Sequence, residues 1–205
     1  MTVRIKVCGI IHPDDAAAAV DAGVDLIGLN FVPGTPRALT IEQAEKIAAR
    51  VAGRVERVAV FQNAHWDQIQ KVTRRVDLER IQFHGDETEE DIELVDYPVI
   101  KAVRGADMAA VEQFPSALLL LDHPTEGGGK GNAWNWSEAS VLIAAGVDVI
   151  LAGGLNPENV GQALAEVGDM PPWGVDVATG VEGKSFRKDF AKIAAFVKAV
   201  REASQ

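Results

Sequence analysis

Three ionisable side chains stand where short apolar runs end. Cys8 closes the first such run, His84 follows residues 78–83, and Asp122 follows residues 117–121. A thiol, an imidazole and a carboxyl group are side-chain groups that move protons in enzyme reactions. Each also has a structural interpretation, with Cys8 as a small buried hydrophobe, His84 as a loop residue bonded to backbone, and Asp122 as a helix cap. The common position of the three favours a proton-transfer site and leaves these alternatives open.

A glycine pair follows another apolar run, residues 149–151. Gly153 and Gly154 allow the backbone to turn sharply and to approach a ligand closely. Asn156 suits a helix N-cap, and Pro157 suits the first helical position. A helix N-terminus behind two glycines offers free N–H groups and a partial positive charge, which predicts a phosphate site. A plain strand–helix turn is the alternative.

Side-chain alternation predicts a buried ion pair beside the thiol. If Cys8 points into the interior of the fold, Lys6 points there too, because side chains in a strand alternate. Asp176 lies in the last apolar run, 175–177. A buried ammonium needs a counter-charge, so we predict that Lys6 pairs with Asp176. The positive field of Lys6 is then expected to lower the pKa of the Cys8 thiol.

Strand and helix patterns alternate eight times along the 205 residues. Predicted strands span 3–8, 24–31, 55–61, 78–83, 99–103, 117–121, 149–151 and 175–177. Predicted helices span 14–22, 40–51, 65–75, 88–94, 107–114, 137–145, a segment from Pro157, and 186–201. Regular alternation predicts an α/β fold, a closed (β/α)8 TIM barrel forming a single domain over residues 1–205. A doubly wound open sheet is the alternative, but Cys8-Gly9-Ile10-Ile11 lacks the glycine pattern that such a fold carries after its first strand.

The carboxyl ends of barrel strands carry the chemistry in this fold class. The residues predicted at those ends include the three proton-moving groups, an arginine in a loop and two glycine-containing turns. They are Cys8, Asn30, Arg37, Gln62, His84, Arg104, Asp122, Gly153, Gly154, Ala178, Thr179 and Gly180. Arg37 can alternatively be a solvated loop cation. Trp134 and Trp136 are most simply hydrophobic cover for the barrel.

Composition excludes several classes of partner. The formal net charge of −10 argues against nucleic acid and anionic membranes as partners. One cysteine permits no intrachain disulfide, no apolar run reaches the length of a membrane span, and the first residues show no signal peptide. We therefore expect a cytoplasmic protein that acts on a small molecule, as a monomer or a homodimer.

The chain resembles the phosphoribosylanthranilate isomerase family of tryptophan biosynthesis. The matching segments run in the family's order along nearly the whole chain: KVCGI at 6–10, PR at 36–37, VAVFQ at 58–62, IQFHGDE at 81–87, GGKG at 128–131, LAGGL at 151–155 and VDVATGVE at 175–182. The family is a (β/α)8 barrel that converts an aminoaldose to an aminoketose by an Amadori rearrangement, without metal or cofactor.

The resemblance implies a role for each candidate residue. Cys8 takes the position of the general base and Asp122 that of the general acid. Arg37 takes the position that clamps the anthranilate carboxylate. Beside these roles, we predict that His84 and Asp176 bind the substrate. The two glycine-containing turns take the position that binds the phosphate, with Gly153, Gly154, Thr179 and Gly180. The residue types suit this chemistry, since ring opening needs an acid with a raised pKa and isomerisation needs a base such as a thiolate.

Some positions depart from the family pattern. Asn30 stands where the family usually has an aliphatic residue, Ala178 where it often has serine, and Lys130 where it commonly has threonine. Two rival functions stay open: the histidine-pathway aminoaldose isomerase, which resembles a duplicated half-barrel with an aspartate as base, and a non-catalytic phosphate-binding barrel. Cys8 argues against the first, and Cys8 together with Asp122 argues against the second.

Overall fold

The computed structural model describes residues 2–125 and 133–204. Within them, parallel strands close into a barrel in sequence order, with β1 paired to both β2 and β8. The strands are β1 (Arg4–Cys8), β2 (Leu26–Asn30), β3 (Glu56–Phe61), β4 (Arg80–Phe83), β5 (Val99–Arg104), β6 (Leu118–Asp122), β7 (Val149–Leu151) and β8 (Gly174–Val177). The predicted (β/α)8 barrel is confirmed. The open sheet is wrong, because the pairing of β1 with β8 leaves no sheet edge.

Helices follow the strands around the outside of the barrel. They are α1 (Pro13–Asp21), α2 (Ile41–Arg50), α3 (Trp66–Thr73), α4 (Glu89–Glu93), α5 (Met108–Gln113), α6 (Ser140–Ala144), α7 (Val160–Glu166) and α8 (Phe190–Ala203). Thr40 and Gln43 form the predicted capping box at the start of α2. No helix of the described residues is both long and apolar enough to cross a membrane.

Three helices begin at least three residues later than the sequence patterns predict: α6, which follows a 3₁₀ turn over Trp136–Ala139, α7 and α8. Asn156 accepts the N–H groups of Glu158 and Asn159, as an N-cap does, but a turn over 157–159 precedes α7. Ser185 and Phe186 have positive φ, so an α-helix cannot begin at Phe186. The closing helix therefore begins at Phe190, where the Asp189 carboxylate accepts the first free N–H groups.

The barrel interior holds a small apolar cluster. Leu26, Val58, Ile100, Leu120 and Ile150 fill the centre. The outer face of the strands packs against the helices in a larger core, which is why the strands are apolar on both faces.

A buried ion pair sits in the same interior, as predicted. Lys6 Nζ donates to Asp176 Oδ1 at 2.9 Å across the β1–β8 pairing, and the Lys6 side chain is 1% exposed. Removing one member of such a pair typically costs about 3–5 kcal/mol, because the other charge is left uncompensated. The pair fixes β1 against β8 directly below Cys8.

Candidate active site

The Cys8 thiol lies at the carboxyl end of β1, facing a glycine on β2. A Cβ on Gly28 would lie 2.7 Å from Cys8 Sγ, so only glycine leaves room for the thiol there. Burial raises the pKa of Cys8, whereas the nearby charges of Lys6 and Lys188 lower it; the net direction is upward. The prediction of a lowered thiol pKa is therefore wrong. Lys6 acts in the expected direction, but desolvation of the thiolate outweighs it.

Asp122 ends β6 and is bonded to His84 from β4. His84 Nδ1 accepts from Gln82 Nε2 at 3.0 Å, which leaves the proton on Nε2, and Nε2–H donates to Asp122 Oδ2 at 3.1 Å. Asp122 Oδ1 accepts the His123 N–H at 2.9 Å. The helix-cap interpretation of Asp122 is wrong, because neither donor belongs to a helix N-terminus. The imidazole of His84, in turn, is bonded to side chains, while the His84 backbone N–H donates to Phe61 O at 2.8 Å.

These contacts oppose the expected pKa of Asp122. Burial raises the pKa of the carboxyl, but the hydrogen bonds from His84 and from the His123 N–H lower it, and the net direction is downward. The prediction of a raised pKa is wrong because the sequence did not show which donors face the carboxylate. The pKa values of Cys8 and Asp122 are therefore pushed apart.

Arg37 is a paired side chain at the mouth of the barrel. Its Nε and Nη2 donate to Glu182 Oε1 and Oε2 at 2.6 and 2.8 Å, and the side chain is 13% exposed. Its aliphatic stem crosses the backbone of Gly9, where a Cβ would lie 2.5 Å from Arg37 Cδ. The solvated-cation interpretation of Arg37 is thus wrong, and the guanidinium is fixed next to the residue that follows Cys8.

The two glycine-containing turns lie against each other. Gly153 and Gly154 have positive φ, and a Cβ on Gly180 would lie 2.1 Å from Leu155 O. Thr179 and Gly180 open a 3₁₀ turn, Thr179–Val181, after β8. Among the described residues, no acceptor bonds the N–H groups of Gly153, Gly154, Thr179 and Gly180. The turns after β7 and β8 therefore adjoin, and together they carry four N–H groups that are available as backbone donors.

The tryptophans cover the end of β7, as predicted. Trp134 Nε1 and Trp136 Nε1 both donate to Ala152 O, at 2.9 and 3.1 Å, and the two residues are buried. The GGKG segment at 128–131 lies outside the described residues.

A cavity of about 500 Å³ opens beside Asp122. Its lining includes predicted strand-end residues from β3 to β6, namely Gln62, His84, Arg104 and Asp122. Asn30, by contrast, uses its Oδ1 to accept the Val32 N–H at 2.7 Å. Asn30 thus shapes its own loop. No group of His, Cys, Asp and Glu that could hold a metal ion occurs in the described ranges.

Sequence reasoning missed a set of supporting side chains. Glu87 accepts the N–H groups of Asn63 and Gly85 and pairs with buried Lys101, which joins the loops after β3 and β4 to strand β5. Near β8, Glu182 pairs with both Arg37 and Lys188 and so joins the loop after β2 to the segment after β8. Glu87 and Glu182 both stand in segments that match the family, but their partners lie in other strands and loops, so only the fold reveals them.

The fold and the gathering of ionisable groups at its strand ends define a TIM-barrel enzyme. A family model described as N-(5'-phosphoribosyl)anthranilate (PRA) isomerase matches residues 5–199. The chain belongs to this family, and it is an aldose–ketose isomerase of tryptophan biosynthesis.

Relatives and solved structures agree along nearly the whole chain. An N-(5'-phosphoribosyl)anthranilate isomerase of Pseudomonas fluorescens (strain Pf0-1) is 46% identical over 97% of this chain and 98% of its own. The phosphoribosyl anthranilate isomerase of Thermus thermophilus superposes with a TM-score of 0.87 at 33% identity, covering 98% of this chain and 99% of that one. A further isomerase structure, in complex with reduced 1-(o-carboxyphenylamino)-1-deoxyribulose 5-phosphate, gives 0.83 at 32% identity, over 98% of this chain and 100% of that one.

Proposed function

We propose that this protein converts N-(5'-phosphoribosyl)anthranilate to 1-(o-carboxyphenylamino)-1-deoxyribulose 5-phosphate, with Cys8 as general base and Asp122 as general acid. One observation carries the proposal: a thiol on β1 and a carboxyl on β6 stand at the same end of the barrel as a fixed guanidinium and two adjoining turns with available N–H donors. Such an arrangement suits a substrate with an anion at each end and a reacting sugar between them.

The two anionic ends of the substrate go to different parts of the site. The phosphate binds the N–H groups of Gly153, Gly154, Thr179 and Gly180, since backbone donors in such turns favour anions. The carboxylate binds the N–H groups of Arg37 that Glu182 leaves available, because a guanidinium offers five donors and Glu182 uses two of its nitrogens. The sugar then lies between Cys8 and Asp122.

The reaction follows as two proton transfers. Asp122 gives its proton to the ring oxygen; the bond from that oxygen to C1' breaks, and the nitrogen lone pair forms a protonated imine. The Cys8 thiolate then removes the proton from C2', whose bonding electrons form the C1'–C2' double bond and neutralise the imine. Return of a proton to C1' and loss of the enol proton give the aminoketose.

Two predicted substrate-binding residues take supporting positions in this scheme. Both ring nitrogens of His84 are engaged by Gln82 and Asp122, so we assign His84 to orienting the carboxyl that acts as acid. Asp176 is held by Lys6 through Oδ1, which leaves Oδ2 for a substrate hydroxyl. Direct substrate binding by His84 stays a prediction, as does a cytoplasmic location.

Purified protein is expected to consume N-(5'-phosphoribosyl)anthranilate, which is measured by the loss of its fluorescence. The aminoaldose of the histidine pathway serves as the matched substrate with two phosphates, and we expect it to turn over at least about 100-fold less efficiently, because the site offers a single pair of turns with available N–H donors. Equal turnover of both substrates contradicts the expected specificity, and turnover of neither contradicts the proposed reaction.

The pH profile of kcat/KM is expected to have widely separated limbs. The working state needs an ionised thiol and a protonated carboxyl, and its fraction is constant between the two pKa values and falls outside them. Because the pKa of Asp122 is lowered and that of Cys8 is raised, the acid limb lies below about 3.9 and the alkaline limb above about 8.5, the ordinary values.

Two measurements check this profile. The kcat/KM between pH 5 and 8 should change only with ionisation of the substrate phosphate, at about pH 6. Alkylation of the one cysteine by iodoacetamide should accelerate through a pKa above about 8.5. If the acid limb lies above pH 5 and moves in an Asp122 variant, the lowered pKa of Asp122 is contradicted.

The oligomeric state stays a prediction. One solved relative is described as mutually generated monomers of the dimeric isomerase from Thermotoga maritima, at 33% identity and a TM-score of 0.83. We propose that this chain is likewise a monomer or a homodimer, which light scattering of the purified protein distinguishes.

A further inference from the structure

We infer that Glu182 is a positioning residue that aims the Arg37 guanidinium at the substrate carboxylate and ties it to the phosphate-binding turn. The inference deepens the proposed function and rests on it, since it takes Arg37 as the carboxylate clamp. It adds a residue that selects for an arylamine bearing an anion.

The contact with Glu182 determines which N–H donors of Arg37 remain available to a ligand. Glu182 accepts from Nε and Nη2, which form one edge of the planar guanidinium. That edge is therefore occupied, and the end formed by Nη1 and the second N–H of Nη2 is left for a ligand. A carboxylate fits this end with two parallel hydrogen bonds. The orientation of the free end thus depends on Glu182.

The stem of Arg37 is confined as well. It lies over Gly9, whose positive φ and close contact with Arg37 Cδ leave no space for a side chain. The Phe186 ring lies 5.6 Å from the guanidinium carbon. With its stem confined and one edge paired, Arg37 has little rotamer freedom to lose when a ligand binds.

Glu182 is also connected to the phosphate-binding turn. Glu182 directly follows the 3₁₀ turn that presents Thr179 and Gly180, and its N–H donates to Thr179 O at 3.0 Å. Buried Lys188 donates to Glu182 Oε1 and to Ala178 O, both at 2.9 Å. The carboxylate and the backbone before Thr179 are thus held by one ammonium group. Through Glu182, the Arg37 loop after β2 and the turn after β8 share a single charged network.

Two substrates separate positioning from a general structural role. N-(5'-phosphoribosyl)anthranilate carries the carboxylate, and N-(5'-phosphoribosyl)aniline lacks it; both form from ribose 5-phosphate and the free amine. We expect Glu182→Gln to lower kcat/KM for the anthranilate substrate by about 10- to 100-fold, mainly through KM, the range for one charge-assisted contact. For the aniline substrate the change should stay within about threefold, because that substrate does not use the guanidinium.

A double-mutant cycle tests whether Glu182 acts through Arg37. Arg37→Ala should lose the same preference for the anthranilate substrate, and adding Glu182→Gln to it should cause little further loss. Glu79→Gln is the matched control: Glu79 forms the same kind of two-nitrogen contact, with Arg57, but it lies just before β4 at the opposite end of the barrel. We expect Glu79→Gln to change the melting temperature and to leave kcat/KM for both substrates unchanged.

The outcomes distinguish this inference from the proposed function. If wild-type protein does not prefer the anthranilate substrate, or if Arg37→Ala keeps the preference, the clamp role of Arg37 is wrong. The positioning role of Glu182 is wrong if Arg37→Ala loses the preference for the anthranilate substrate while Glu182→Gln keeps it. It is also wrong if Glu182→Gln lowers kcat/KM equally for both substrates. Should Glu182→Gln unfold at the assay temperature, Glu182→Asp, which is one methylene too short to reach both nitrogens, replaces it in the same comparison.

Discussion

Cys8→Ala is expected to lower kcat by about 10²- to 10⁴-fold, the usual contribution of a positioned base. KM should change no more than a few-fold, because the thiolate meets the C2' proton in the transition state and contributes little to ground-state binding. The measurement is steady-state turnover of N-(5'-phosphoribosyl)anthranilate over a range of concentrations. The anchoring groups of the substrate, Arg37 and the glycine-containing turns, are untouched by the change.

Cys8→Ser is the matched variant for the loss of packing. Serine keeps nearly the same volume against Gly28 and can still bond Lys6, but its hydroxyl does not ionise in the working pH range. We expect it to be as inactive as Cys8→Ala. If either variant retains more than about one hundredth of the wild-type kcat, the base lies elsewhere. Lys188 would then be the next group to test, because burial lowers the pKa of its ammonium and it is close enough to Cys8 to interact electrostatically.

The barrel could be predicted from the sequence because its signals are local. Apolar runs separated by helix patterns give the strand count, and parallel pairing then follows from the length of each connection. Alternation along β1 and β8 was enough to pair Lys6 with Asp176, although they are 170 residues apart. The starts of α7 and α8 were misplaced because the patterns there do not show the turn after Asn156 or the left-handed backbone at Ser185 and Phe186.

The electrostatics of the site could not be predicted in the same way. The pKa of Cys8 depends on how completely the folded chain removes water from the thiol, and the effect of Lys6 is smaller than that of burial. The pKa of Asp122 depends on His84, which another strand brings to it. Likewise, Arg37 and Glu182 are 145 residues apart. Residue types and strand ends located the groups, but their pairing is a property of the closed barrel.

Asp122→Asn is expected to abolish ring opening, with a fall in kcat/KM of about 10²- to 10⁴-fold. The amide has nearly the same shape as the carboxyl but carries no acidic proton. The surrounding contacts can adapt to it: His84 can shift its proton to Nδ1 and accept from the new amide, and the Gln82 amide can rotate so that Oε1 accepts from Nδ1–H. Gln82 Oε1 is buried and has no other partner in the described residues. The melting temperature should therefore change little while activity is lost.

A substrate that is already open separates the acid role from a structural one. The imine formed from anthranilate and 4-deoxyribose 5-phosphate has no 4-hydroxyl group and cannot close its ring. It therefore needs no proton on a ring oxygen: its nitrogen takes a proton from water, and the proton transfer at C2' follows. Asp122→Asn should turn over this analogue within about tenfold of wild type, whereas Cys8→Ala should be inactive on both substrates. Asp25→Asn is the matched control, because Asp25 accepts the Ile5 N–H and an Arg201 guanidinium at the opposite end of the barrel and should affect stability alone. If Asp122→Asn is as inactive on the open analogue as on the natural substrate, Asp122 is not the ring-opening acid and serves instead to hold His84 and the strand ends around it in place.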